Sequence, residues 1–304
     1  MTSQRHTKCD LPESVMIFGC GYVGTALARA LIQRGIPVGA LTRNAARATE
    51  LRDVGVAEVV VADLDGASWR HELGRSYEAA VNCVSSAGGG LDGYRKSYVE
   101  GQKRIFEWAE RQKIRSFLYT SSSSVYAQDD GVWVDEAVDT SGAPPTGQVL
   151  LESEQLIEKH AHLYKSWYVL RLSGIYGPGR HFLLNQLKEG CGVIPGRGDY
   201  HMNMIHLQDI VSAALAALSG KAPSGIYNIC DDAPTTKETV LKYLAKQLDL
   251  PVPEFDPDNI PPRLKRRGGR MPDRRISNRK AKAQLGWVPT YPSYKEGYGE
   301  MGLL

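Results

Sequence analysis

Three glycines spaced as Gly19-Cys20-Gly21-Tyr22-Val23-Gly24 follow the apolar run Val15-Met16-Ile17-Phe18 and precede an Ala/Leu-rich stretch. Set between a strand and a helix, a G-x-G-x-x-G pattern gives each glycine a physical task. Gly19 makes the tight turn, Gly21 lets the backbone approach a pyrophosphate, and Gly24 lets the helix pack closely on the strand. A helix opening at Tyr22 and Val23 then points its unpaired N–H groups and positive dipole end at the phosphates. The chemistry this favours is dinucleotide binding; the alternative is a glycine-rich turn without a ligand. A second apolar stretch ends in Leu41-Thr42-Arg43-Asn44-Ala45-Ala46-Arg47, with no acid. A carboxylate at that place suits the ribose 2′-hydroxyl of NAD, whereas an arginine suits the 2′-phosphate of NADP. Arg43, with the Thr42 hydroxyl and Arg47 beside it, therefore points to NADP(H), with NAD possible, unless these arginines only face water.

The elements that must position these residues alternate. Strands are expected at residues 15–18, 36–41, 58–62, 79–85, 116–119 and 167–172, and helices at 25–34, 94–112 and 146–162. Parallel strands need crossover helices, so this rhythm predicts an α/β fold, a doubly wound parallel Rossmann sheet. After Gly174 the segments shorten and gain Gly and Pro. Helices are expected at 207–218 and 235–248, then a loop at 251–262 and a basic stretch at 263–275. That stretch is either a solvated loop or an anion-binding one. The organisation expected is a disordered lead-in over 1–13 and a dinucleotide-binding domain over 14–174, with 205–225 packing back on it. A smaller C-terminal substrate-binding lobe would take 175–204 and 226–304.

Bulk properties narrow the function classes. The chain has 304 residues, 42% hydrophobic and 23% charged, with a net charge of +3. So small an excess gives no electrostatic support to a nucleic-acid partner. No apolar run approaches the ~20 residues needed to cross a bilayer. The polar start, residues 1–14, lacks the apolar core of a secretory signal. Cys9, Cys20, Cys83, Cys191 and Cys230 are scattered, in no metal-ligand spacing. They read as filler in a reducing compartment. The expectation is a cytoplasmic monomer or homodimer acting on a small molecule, with no metal, membrane or nucleic acid.

Further motifs follow the glycine turn in order. Asp63-Leu64 comes after the third strand, and Tyr119-Thr120-Ser121-Ser122-Ser123-Ser124-Val125-Tyr126 spans the end of the fifth. Arg171-Leu172-Ser173-Gly174-Ile175-Tyr176-Gly177-Pro178-Gly179-Arg180, Asn203-Met204-Ile205-His206-Leu207-Gln208-Asp209 and Leu285-Gly286-Trp287-Val288-Pro289 complete the series. Over nearly its whole length the chain resembles the extended short-chain dehydrogenase/reductases, the group of sugar-nucleotide epimerases and dehydratases. It is most similar to an atypical NAD(P)-dependent epimerase/dehydratase-like branch. The resemblance implies that Asp63, with Leu64, holds the adenine, and that Val84, Ser85 and Ser86 pass beneath the dinucleotide. It implies a hydroxyl beside the nicotinamide at Ser122, with Ser121 on the cofactor side and Ser123 toward the substrate. It also implies a substrate site in the smaller lobe at Arg180, His181, Asn203 and Arg275, with Arg197 and Asn278 nearby.

One part of the pattern is missing. Members of the group carry Tyr-x-x-x-Lys on the helix after the serine-rich strand, where i,i+4 spacing puts both side chains on one face. The lysine cation lowers the tyrosine pKa so that it can trade a proton with the substrate oxygen. Here Pro144-Pro145-Thr146-Gly147-Gln148-Val149-Leu150 puts Thr146 and Leu150 at those places. The sole Tyr-x-x-x-Lys in the chain, Tyr291 to Lys295, is broken by Pro292. Candidates for the replacement are Ser122, Tyr126 and Tyr176, with His181 and His206 behind them. Two readings stay open: an oxidoreductase or epimerase with an atypical active site, or a regulator that kept the dinucleotide and lost the chemistry.

Overall fold

The computed structural model describes residues 11–66, 68–86, 88–190, 192–260 and 271–302. Seven strands build the main sheet: β1 (Val15–Phe18), β2 (Val38–Thr42), β3 (Glu58–Val61), β4 (Ala79–Asn82), β5 (Ser116–Ser122), β6 (Ser166–Leu172) and β7 (Gly225–Ile229). They lie in the order β7-β6-β5-β4-β1-β2-β3, each neighbouring pair parallel. This is the doubly wound Rossmann architecture. The direction of winding reverses between β1 and β4, and the crevice outside that point is where such sheets collect ligands.

Parallel strands covered on both faces read as unbroken apolar runs rather than alternating ones, and all four residues of β1 are buried. On one face, α1 (Tyr22–Ile32), α2 (Ala45–Asp53) and α5 (Leu207–Leu218) bring Leu27, Leu31, Leu51 and Ile210 onto Val15, Ile17 and Leu170. On the other, α3 (residues 90–109) and α4 (Pro145–Lys159) bring Ile105, Trp108 and Ile157 onto Met16, Phe18 and Phe117. α3 runs as Gly90–Tyr94, a π-helical Arg95–Glu100 and Gly101–Ala109. α2 was not expected from the sequence, because it buries only Ala48 and Leu51. Its local signal is the cap, where Asn44 Oδ1 accepts the Arg47 N–H at 3.1 Å.

Two expectations need correction. Residues 226–229, assigned to the smaller lobe, belong to the seventh strand of the main sheet. Ala281, Leu285 and Trp287 also enter the main core, and Trp287 donates to Ser212 Oγ at 2.9 Å. The smaller lobe's own core joins Leu183, Leu184 and Leu187 to Val240, Leu241, Leu244 and Tyr298. The lead-in stops short of residue 13, for Leu11 packs against the main core and the Glu13 N–H donates to Glu78 at 2.5 Å. Residues 1–10 and the 263–270 part of the basic stretch lie outside the described residues, as do Cys9 and Cys191.

A buried ionic network joins the elements beneath the crevice. Arg171 on β6 contacts the Glu154 carboxylate of α4 through Nη2 at 2.7 Å and Nε at 3.1 Å. Ser121 on β5 donates to the same carboxylate at 2.6 Å. Arg171 Nη1 donates to the Tyr126 hydroxyl at 3.0 Å, which in turn donates to Asn228 Oδ1 of β7 at 2.7 Å. The charged pair is almost wholly out of water, with side chains 4% and 3% exposed. Removing one partner of such a pair strands the other charge, at a cost of about 3–5 kcal/mol, whereas replacing both by apolar groups can be nearly neutral. Arg171→Met should therefore lower unfolding stability by about that amount, and Arg171→Met with Glu154→Leu should recover most of it. Urea unfolding of both variants checks this; an unchanged midpoint for the single variant would count against the network.

Candidate functional site

The site forms where β1, β2, β3 and β4 end. Past Phe18 the chain turns at Gly19, whose φ of +82° favours glycine. Its N–H donates to Leu41 O at 3.0 Å. A Cβ on Gly19 would lie 2.6 Å from the Val84 backbone, and one on Gly24 would lie 2.7 Å from Gly19 O. These two glycines are demanded by packing within the protein. Gly21 is different: a Cβ there would meet nothing within 4 Å. Space is kept free above its backbone, in front of the first turn of α1, as a pyrophosphate cradle requires.

That space is part of a cavity of about 730 Å³, walled by Gly19, Gly21, Thr42, Arg43, Asp63, Leu64, Val84 and Ser85, among others. Eight residues named for the cofactor from the sequence therefore share one cavity. Tyr22 and Val23 open α1 behind it. Tyr22 extends to the smaller lobe, its hydroxyl donating to Pro178 O at 3.0 Å and its ring lying 5.5 Å from the Arg180 guanidinium. Thr42 is buried and its hydroxyl accepts the Asn44 N–H at 3.3 Å. Arg43 contacts Asp63 at 3.5 Å, both side chains about half exposed.

Other residues take different places. Ser86 is outside the cavity wall, its hydroxyl paired with the Gly88 backbone. Ser121 is buried, spent on Glu154 and outside the cavity wall. Tyr126 is 1% exposed, its hydroxyl held between Arg171 and Asn228. Burial pushes it up to about 12 against the pull of Arg171. Tyr176 is 3% exposed, stacked on Tyr298 at 5.1 Å, with its hydroxyl toward Ser293 O at 3.4 Å. Burial raises it well beyond the ordinary phenol range. Both tyrosines are thus walled into a core with their hydroxyls already paired, which places neither at the cavity as the sequence reading expected. The Asn203 amide is likewise spent on the backbone, donating to Arg274 O at 2.9 Å and accepting from the Ile276 N–H at 2.7 Å. Arg275 donates to Gly131 O at 2.8 Å and lies 5.6 Å from the Trp133 ring. Asn203 thus braces the 274–276 segment and Arg275 the loop after β5.

Ser122 is half-buried at the tip of β5 and, like Ser86, outside the cavity wall, its hydroxyl accepting the Ser124 N–H at 3.2 Å. Ser123 offers its carbonyl to Arg274 at 3.1 Å. In the smaller lobe Arg180 is exposed, and His181 Nε2 accepts the Gly179 N–H at 3.1 Å. His206 caps α5 by accepting the Gln208 N–H at 3.3 Å, and burial followed by nearby His181 lowers it to about 4. Asp209 accepts the N–H groups of Thr290 and Tyr291. His206 thus caps its own helix, while Asp209 ties α5 to the chain at Thr290 and Tyr291. Leu150, at the lysine place, is buried with Val125, Tyr126, Val134 and Ile276.

Sequence reasoning missed part of the wall. Cys20 and Cys83 line it. Burial pushes the Cys83 thiol up to about 12 and Cys20 further, so neither is a ready thiolate. Gly88, Gly89, Gly93, Lys96 and Ser97 close another side. The run Gly88-Gly89-Gly90 was their visible signal. Among the described residues no group of three or more metal-ligating side chains occurs, and no helix is long and apolar enough to cross a membrane.

Comparison with known proteins agrees with this geometry. "Protein YeeZ" of Escherichia coli K12 is 26% identical over 250 residues, covering 80% of this chain and 86% of that protein. A "3-diazoavenalumate denitrifying reductase" of a Streptomyces species is 28% identical over 309 residues, covering 94% and 99%. The solved structure of MoeE5 in complex with UDP-glucuronic acid and NAD superposes with a TM-score of 0.80 at 23% identity, covering 94% and 96%, which speaks to the fold. The profile of the NAD dependent epimerase/dehydratase family matches residues 15–230. Since that match takes in the glycine turn, the cavity and β7 together, the chain belongs to the NAD dependent epimerase/dehydratase family.

Proposed function

We propose that this protein is an NADP(H)-dependent oxidoreductase or epimerase that works without a Tyr-x-x-x-Lys pair on a sugar-like or other carbonyl or alcohol substrate. The observation carrying the cofactor preference is Arg43, at the end of β2 on the cavity wall, where an NAD site would hold an acid. The fit of a dinucleotide rests on the open space at Gly21 and on Asp63 and Leu64 in the same wall. A nicotinamide cofactor bound there supplies or accepts hydride. The chain's own part is to hold the pyrophosphate at the glycine turn, to pair Arg43 with the 2′-phosphate, and to present the Ser122 hydroxyl to the substrate oxygen. With Tyr126 and Tyr176 buried, the proton comes through Ser122 with a water, or from a substrate group. Arg180 and His181, on the loop beside Tyr22, are the residues we assign to the substrate side.

A second reading, a non-catalytic NAD(P)-binding regulator, draws on Leu150. Its burial in an apolar cluster leaves no cation at that place on α4 to activate a neighbouring acid. Turnover decides between the two. NADPH oxidation against a panel of carbonyl compounds and sugar nucleotides, and NADP⁺ reduction against alcohols, should reveal activity in the wild type. Ser122→Ala should cut it by roughly 10²–10⁴-fold, the usual scale for losing proton-transfer assistance. Silence of the wild type across the panel would favour the regulator.

Two binding experiments test the cofactor site itself. NADPH should bind more tightly than NADH in fluorescence titration, and Arg43→Ala should weaken NADPH by roughly ten- to a hundredfold, the scale of one lost charged contact. A preference untouched by Arg43→Ala would refute the assignment. Gly21→Val should abolish NADPH binding with the fold intact, because the new side chain enters open space. Gly19→Val should instead destabilise the fold, since its Cβ meets the Val84 backbone. Circular dichroism and thermal melts separate the two outcomes.

A further inference from the structure

The cavity has a second glycine-rich wall. Beyond β4 the chain passes through Gly88, Gly89 and Gly90 with φ of +102°, +79° and +63°, values that side chains disfavour. Gly88 and Gly89 face the cavity. α3 then packs tightly on this turn, for a Cβ on Gly93 would fall 1.8 Å from Gly88 O, and the Gly93 N–H donates to Gly89 O at 3.1 Å. Only a helix start free of side chains comes so close. The next residues form the π-helical turn Arg95–Glu100, a rare winding that often marks functional positions. From it Lys96 and Ser97 line the same cavity as Arg43 and Asn44.

Lys96 and Arg43 are arranged alike. The Lys96 ammonium sits 2.5 Å from Asp65, and Arg43 sits 3.5 Å from Asp63, all four side chains well exposed. Both cations line the one cavity, each held by its own carboxylate. The Asp65 hydrogen bond and charge, then Asp63, hold the ammonium above its ordinary range, while Arg43 opposes them. Exposed pairs of this kind contribute little. A phosphate dianion entering the cavity can therefore draw either cation from its carboxylate, and two cations on one phosphate recognise it better than one.

We propose that Lys96 is a second ligand of the cofactor's 2′-phosphate, completing the site that Arg43 begins, and that Asp65 restrains Lys96 and competes with that phosphate. The inference rests on the NADP(H) reading above and adds the residue pair that sets its strength. The test titrates wild type, Lys96→Ala and Asp65→Asn with NADPH and NADH, and with 2′,5′-ADP and 5′-AMP, which differ by the 2′-phosphate alone. Lys96→Ala should weaken NADPH and 2′,5′-ADP by roughly tenfold, the scale of one charge-assisted contact, and leave NADH and 5′-AMP nearly unchanged. Asp65→Asn should tighten NADPH and 2′,5′-ADP without affecting NADH. If the wild type prefers NADPH but Lys96→Ala leaves that preference intact, or weakens both cofactors equally, this inference is overturned while the NADP(H) reading stands. A wild type that binds NADPH and NADH equally overturns both.

Discussion

The Arg171–Glu154 pair is the contact on which the placement of the site depends. Glu154 comes from α4, Arg171 from β6, Ser121 from β5 and, through Tyr126, Asn228 from β7. One buried carboxylate thus ties together four elements that are distant in sequence. The ionic attraction gains in the dry interior, but so does the desolvation cost, and the balance is favourable only if the remaining lone pairs and N–H groups are used. Here they are, by Ser121 and by the Tyr126 hydroxyl. The network lies one residue before Ser122, so the direction in which the tip of β5 leaves the sheet is set by a charge pair beneath it. It also explains why Tyr126, attractive as an acid in the bare sequence, is occupied as a structural link.

Close backbone approach is the second constraint. Gly19 leaves no room for a Cβ against Val84, and Gly24 leaves none against Gly19 O, so the turn after β1, the start of α1 and the exit of β4 form one compact unit. Gly93 against Gly88 repeats the device on the opposite wall. Each close contact removes side chains where the backbone must serve as the binding surface, and leaves Arg43, Asp63, Asp65 and Lys96 as the charges around the opening.

Packing around Leu150 bears on the proposed absence of a Tyr-x-x-x-Lys pair. Leu150 does more than lack a charge. It fills an apolar cluster with Val125, Val134 and Ile276, which joins α4 to the loop after β5 and to the C-terminal segment. A lysine there would have to leave that cluster or be buried unpaired, either of which is costly. Leu150 is therefore integrated into the packing, and on the function we propose the proton comes from outside the core.

Much of the fold was legible in the sequence because its signals are local. Unbroken apolar runs such as Val15–Phe18 mark buried parallel strands, and the spacing of Gly19, Gly21 and Gly24 can be read without knowing any distant contact. The lack of an acid in the run Leu41–Arg47, and of a lysine at position 150, are likewise matters of residue type. What the sequence could not decide is which side chains are already spoken for. Tyr126, Tyr176, Ser121 and Asn203 look free in one dimension, yet each is claimed by a partner between 33 and 117 residues away. Conversely, Lys96 looks like any surface lysine until the turn at Gly88–Gly90 carries its helix to the cavity. Residue 226 marks the same limit at the level of lobes, since only pairing with β6 makes its segment a strand of the main sheet. Local propensity and spacing come from neighbours along the chain, whereas burial and hydrogen-bond partnership depend on groups that only folding brings together.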